Sequence, residues 1–128
     1  ATKLLECTVT GSKDLDTAII VAKSVICSPL FKCAMFGADA NWGRILCAVG
    51  YAEADFDINK VDVSLSSKAG EIHVCHNGAG IEFSEEVAKT VLLEDEITIS
   101  VSIGNGTATA WGCDLTYDYV KINGDYRS

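Results

Sequence analysis

One proline, one methionine and an aromatic content of 8% are all that the 128 residues offer of the side chains that stiffen or anchor a chain. So little proline excludes a proline-rich linker or recognition segment. No run of about 18 apolar residues occurs, which predicts no membrane span, and no charged leader precedes an apolar stretch, which predicts no signal peptide. Basic residues are few, 10 Lys and Arg against 18 Asp and Glu, for a formal net charge of −8. The acids are scattered, so neither a nucleic acid nor an anionic membrane is an expected partner. There is no phosphate-binding glycine loop, no evident nucleophile–base pair and no zinc-ligand spacing, so neither cofactor nor metal is expected. The nearest approach to a metal motif, His73-Val74-Cys75-His76, lacks a second ligand pair. As a strand it places His73 and Cys75 on one face and His76 on the other.

What is present is a chain that is 48% hydrophobic and the length of one domain, residues 1–128. A chain of that size buries roughly two-thirds of its unfolded surface. Six cysteines, Cys7, Cys27, Cys33, Cys47, Cys75 and Cys113, sit inside apolar periodic runs, where cysteine acts as a small hydrophobe. Reduced thiols and a cytoplasmic location are therefore expected.

Leu4 to Thr10 is rich in strand formers and ends at Gly11-Ser12. From Asp14 the apolar residues Leu15, Ala18, Ile19, Ala22, Val25 and Ile26 take helical spacing, predicting a helix to about Cys27. Ser28-Pro29 caps a second short helix that reaches Gly37. Trp42, Ile45, Leu46 and Val49 share the face of a third, stopped by Gly50. The pattern then switches to period two. Val61, Val63 and Leu65 turn through Lys68-Ala69-Gly70 into Ile72 and Val74, a hairpin. Ser84 caps a short helix with Glu85 and Glu86 in its first turn and Val87, Ala88, Val91 and Leu92 facing inward. Ile97, Ile99, Val101 and Ile103 alternate up to Gly104-Asn105-Gly106, which predicts a second hairpin with Thr107 to Trp111. Asp114 caps a last helix from about Leu115. The order predicts an α+β domain, with a largely antiparallel sheet of two hairpins plus an N-terminal strand, covered by helices.

Special residues crowd most densely into Phe36-Gly37-Ala38-Asp39-Ala40-Asn41-Trp42-Gly43-Arg44. Gly37 is suited to a positive φ that closes the preceding helix, Asp39 or Asn41 to capping the next, and Gly43 to a close approach of another backbone. Trp42 and Arg44 add a large anchor and a rigid donor fork.

That motif, together with Ala1-Thr2-Lys3-Leu4, Ser28-Pro29-Leu30 and the run Ala108-Thr109-Ala110-Trp111-Gly112-Cys113-Asp114-Leu115-Thr116-Tyr117-Asp118-Tyr119-Val120-Lys121-Ile122-Asn123, resembles the bifunctional ornithine acetyltransferase / N-acetylglutamate synthase family from end to end. The resemblance implies a carboxy-terminal fragment of that family's β chain. In the family the precursor cuts itself before a threonine. That threonine then carries the acetyl group from N-acetylornithine to glutamate. The nucleophile, the oxyanion-hole residues and the substrate-binding lysine are implied to lie upstream, so no catalytic residue is expected in this chain.

Thr2 does not fit the cleavage site. It is followed by Lys3-Leu4-Leu5-Glu6, and its amide is blocked by Ala1, so it lacks the free α-amine that would serve it as base. Carried over residue by residue, the substrate-binding groups are Asn123 and the terminal hydroxyl of Ser128. The family often has threonine at that last position and alanine where Gly124 stands. Asp39, Asn41, Trp42 and Arg44 are expected to be structural, supporting the substrate pocket or the joint with the missing amino-terminal part, with direct substrate contact as the alternative. The implied partners are the amino-terminal part of the same enzyme (the α chain and the start of the β chain), in an assembly of two α and two β chains, with N-acetylornithine and glutamate as substrates. A non-catalytic binding or scaffolding domain, and an amino-terminal hydrolase using Thr2, stand as alternatives.

Overall fold

The structure, a computed structural model, describes residues 2–11, 15–52, 54, 56–104 and 107–113, with the backbone alone at Gly104 and in the last strand. Its elements are β1 (Leu4–Gly11), α1 (Leu15–Ile26), α2 (Pro29–Phe36), α3 (Trp42–Gly50), a 3-10 turn at Ile58–Lys60, β2 (Asp62–Ser67), β3 (Gly70–His76), β4 (Ala79–Gly80), α4 (Glu85–Leu92), β5 (Glu96–Gly104) and β6 (Thr107–Cys113). The six strands form one sheet in the order β4-β3-β2-β5-β1-β6. Only β1 and β5 run parallel, and every other neighbouring pair is antiparallel. The α+β class with a mostly antiparallel sheet is the expected one. The last helix, expected from Leu115, lies outside the described residues.

Paired residues share a face, and here the register puts the buried apolar positions of β1, β5 and β2 on the same one. Leu5, Cys7 and Val9 of β1 stand beside Ile97, Ile99 and Val101 of β5, and these beside Leu65 and Val63 of β2. All are essentially without solvent contact, and they form one core with Val21, Ala22 and Val25 of α1 and Val91 and Leu92 of α4. The other face carries Glu6, Thr8 and Thr10, then Thr98, Ser100 and Ser102, then Asp62, Ser64 and Ser66, none of them buried. Such alternation is that of a sheet with one covered and one open side.

The expected second hairpin is replaced by a different arrangement. Gly104-Asn105-Gly106 does join two antiparallel strands, but β5 and β6 do not pair, because β1 lies between them and bonds to both. A turn signal fixes a reversal of direction and not adjacency. Placed between β5 and β6, β1 satisfies both edges of its backbone and buries Leu5, Cys7 and Val9 completely.

Smaller differences have local causes. Val87 is 49% exposed, leaving Ala88, Val91 and Leu92 as the inward stripe of α4. On α1, Leu15 is exposed and Thr17 and Val21 take its place. A bulge between Val63 and Ser64 breaks the alternation of β3, so Val74 and Cys75 are both buried and His73 faces solvent, away from Cys75. Asn77 and Gly78 both take positive φ, 50° and 76°, and turn the chain into β4. That pair is the two-residue hairpin signal of an Asn-Gly step. Among the described residues no single helix is long and apolar enough to cross a membrane.

The five cysteines whose side chains are described are free thiols, with Cys7 and Cys75 buried. Burial pushes the Cys7 thiol up to about 12, and burial together with the Asp62 carboxylate pushes Cys75 up to about 11. Above the ordinary value of 9.0 the unfolded chain releases the Cys7 proton while the folded chain keeps it. Folding stability therefore falls as pH rises from 9 toward 12, by about 1.4 kcal/mol per pH unit for this one group. Urea unfolding between pH 8 and about 10.5 is expected to show a shallower decline in Cys7→Ala than in the parent chain. Parallel slopes would mean that Cys7 ionises in the folded state.

Candidate functional site

The turn Phe36–Arg44 is built as two helix caps placed back to back. At the end of α2, Asp39 N–H donates to Ala34 O at 2.9 Å and Ala38 N–H to Met35 O at 3.1 Å, the paired bonds of a left-handed C-terminal cap. The left-handed residue of such a cap is usually glycine. Here Gly37 has an ordinary φ of −82° and the positive φ, 51°, falls on Ala38. The expectation for Gly37 is thus corrected by one position, because these bonds need the reversal two residues beyond Phe36. An L-residue in that conformation costs about 1–2 kcal/mol, against about 0.4–1 kcal/mol lost to glycine's greater unfolded freedom. Ala38→Gly is therefore expected to stabilise the fold by about 0.5 kcal/mol or more, read from the urea midpoint.

At the start of α3, Asn41 is the cap: its Oδ1 accepts from Arg44 N–H at 3.1 Å. Asp39 takes the adjacent role, its carboxylate accepting from Asn41 Nδ2 at 3.2 Å and so orienting the capping amide. Gly43 admits no other backbone. A methyl group there would meet only Asn41 Oδ1, at 3.5 Å. The close approach occurs at Gly80 instead, where an added Cβ would fall 2.5 Å from the Trp42 indole. Trp42 thus clamps α3 onto β4. Arg44 reaches back to α2, Nη1 donating to Leu30 O at 3.0 Å. All four residues singled out in this motif fasten α2, α3 and the sheet edge together.

Beside the motif, the end of α1, the start of α2 and one side of α3 enclose a cavity of about 600 Å³ whose lining includes Cys27, Pro29, Leu30, Arg44, Cys47 and Tyr51. Its floor is tied by Ser24 Oγ donating to Ala48 O at 2.5 Å. Sequence reading missed this cavity, since it depends on how three helices meet. It also missed Lys3, whose ammonium donates to Met35 O at 2.5 Å and Leu92 O at 2.7 Å, bracing the negative ends of α2 and α4.

The open sheet face carries polar pairs. Ser64 Oγ lies 2.6 Å from His73 Nδ1, and Glu71 lies 3.4 Å from His73 Nε2. His76 Nδ1 contacts Asp62 at 2.9 Å. The Ser64–His73–Glu71 row has the residue types of a nucleophile relay, but it is solvent-exposed and lines neither this cavity nor the polar one around Lys68, Glu94 and Asp95. Nothing there excludes water or holds a substrate. Among the described residues no group of three His, Cys, Asp or Glu is placed to hold a metal ion. Asn123 and Ser128 lie outside the described residues.

Compared with known families, residues 1–128 match the ArgJ family. The chain belongs to it. Two ArgJ relatives are 55% identical over 130 residues that take in all of this chain: arginine biosynthesis bifunctional protein ArgJ 1 of Clostridium acetobutylicum and ArgJ of Caldanaerobacter subterraneus. A glutamate N-acetyltransferase of Methanosarcina mazei is 43% identical over 131 residues. The chain spans about a third of the length of these relatives, 32%, 32% and 33%. Among solved structures, ArgJ of Bacillus halodurans superposes with a TM-score of 0.90 at 47% identity, over 98% of this chain and 59% of that one. The cap, clamp and tie of the motif are therefore part of an ArgJ fold.

Proposed function

We propose that the chain is the carboxy-terminal part of the β chain of an acetyltransferase that moves an acetyl group from N-acetylornithine to glutamate. The observation that carries this is the family match over all 128 residues, joined to relatives named both as bifunctional ArgJ and as glutamate N-acetyltransferase. The carboxy-terminal placement rests on the resemblance of the Ala108–Asn123 run.

In this reading the attacking group is a threonine freed by self-cleavage elsewhere in the enzyme. Its Oγ attacks the acetyl carbonyl of N-acetylornithine, the ornithine amine leaves with the proton, and an acyl-threonine ester remains. The amine of glutamate then attacks that ester, forming N-acetylglutamate and restoring the hydroxyl. The free α-amine of the threonine serves as base in each half. This chain contributes binding. The Asn123 amide can donate to a substrate carboxylate and accept from an ammonium, and the Ser128 hydroxyl can do either. Asp39, Asn41, Trp42 and Arg44 hold the helical layer against which that pocket is assembled. The enzyme works in the cytoplasm as two α and two β chains.

An assay of acetyl transfer from labelled N-acetylornithine to glutamate tests this. The complete enzyme is expected to turn over, and the 128-residue chain, purified free of it, is expected to give none. Turnover by the isolated chain would overturn the assignment of chemistry to the missing part and return attention to Thr2.

A further inference from the structure

The helical layer carries an apolar surface that the motif does not use. Around the cavity at the end of α1, Leu30 is 62% exposed and Tyr51 is 84% exposed, and the exposed thiols of Cys27 and Cys47 line it as well. A contiguous apolar rim around a groove is the mark of an interaction surface. Arg44 is the single charged residue of the lining, in a chain whose net charge is −8. One of its five N–H groups is bonded to Leu30 O. The opposite side of the domain is different, since the open sheet face is written in Ser, Thr, Asp, Glu and His across β1, β5, β2 and β3. Such a face suits water.

The chain is about a third of the ArgJ relatives' length, and the Bacillus chain on which it superposes extends well beyond it. The remainder of such an enzyme must meet this domain somewhere, and the groove offers apolar area, depth and a positive charge for which no ion pair is found among the described residues. We propose that the groove between α1, α2 and α3 is where the rest of the ArgJ polypeptide docks, through a segment that presents apolar side chains to Leu30, Cys47 and Tyr51 and a carboxylate to Arg44. This rests on the reading of the chain as part of a larger acetyltransferase. The carboxylate is matched to the guanidinium by its bidentate geometry, and the apolar side chains displace water from the space flanked by the two thiols.

The test uses the complete enzyme, with Tyr51 replaced by the photo-cross-linking residue benzoylphenylalanine. Acetyl transfer is measured first, so that failure of the functional reading is seen separately from failure of the docking site. Irradiation followed by peptide mass spectrometry is expected to join position 51 to a peptide outside the 128 residues of this chain. Cross-links only within residues 1–128, cross-links to position 51 of a second copy, or no cross-link at all would each overturn the proposal. Alkylation of the native enzyme by iodoacetamide gives an independent reading. Cys27 and Cys47 are expected to react about tenfold or more slowly than the exposed Cys33, which does not line the groove. In the double variant Leu30→Asp, Tyr51→Asp they are expected to approach the Cys33 rate while the core thiols Cys7 and Cys75 stay protected. Equal rates for all three exposed thiols in the parent enzyme, or no change in the double variant, would overturn it as well.

Discussion

In the complete enzyme Asn123→Ala is expected to lower kcat/KM for both half-reactions together. On the proposed function, one pocket holds the α-carbon groups of N-acetylornithine and glutamate in turn. A hydrogen bond lost to a charged group costs roughly 1.5–3 kcal/mol, or roughly 10- to 150-fold in kcat/KM. Ser128→Ala is expected to cost less, because the backbone at that position remains, whereas removal of both Arg127 and Ser128 is expected to approach the Asn123 effect. The measurement is kcat/KM for each substrate, made after self-cleavage and an unchanged melting temperature have been confirmed. Losses under about threefold in every variant would assign substrate binding to other residues.

The largest loss of stability from a single methyl group is expected at Gly78. Its φ is 76°, and an added Cβ would lie 2.3 Å from the carbonyl oxygen of Ile58. That neighbour is backbone, fixed by the 3-10 turn, and Gly78 N–H is itself bonded to Val61 O at 2.8 Å, so neither side has room to move. Left-handed strain of about 1–2 kcal/mol adds to an overlap costing about 1–3 kcal/mol, for roughly 2–5 kcal/mol in all. Thermal unfolding of Gly78→Ala is expected about 10 °C or more below the parent. A shift under about 3 °C would show that the turn relaxes freely. Gly80→Ala is a contrasting case, since what it meets is the Trp42 ring, a side chain that can swing toward solvent.

The helices were legible because their signals are local. Ser28 accepts from Phe31 N–H and Ser84 from Val87 N–H, each at 3.3 Å, as their positions before a proline and before two glutamates imply. The longer strands were legible too, from alternation and strand-forming residues, whereas the two-residue β4 was not foreseen. The order of the strands was not legible, because β1 and β5 are paired across more than eighty intervening residues, and a Gly-Asn-Gly turn carries no information about what slides between its arms. The same limit applies at the motif. That Asn41 caps a helix follows from residue type, whereas Trp42 resting on Gly80 and Arg44 reaching Leu30 O depend on tertiary placement. For the proposed substrate-binding residues, the composition offers nothing. Asn123 and Ser128 are ordinary polar residues, and only the likeness of the surrounding run to one family singles them out.

The position of β1 between β5 and β6 bears on how the protein comes to be folded. The strand held between β5 and β6 is synthesised before either of its partners, so as the nascent chain emerges its apolar face has no sheet to join. Helices and the β2–β3 hairpin can form from near neighbours in microseconds, but closing the sheet waits for nearly the whole domain and must overcome the entropy of a long loop. Until then Leu5, Cys7 and Val9 are exposed together with an unpaired strand edge, the condition under which intermediates associate with one another. Chains interrupted before β5 should therefore be the species that chaperones hold, and folding of the finished chain should be slow for its size.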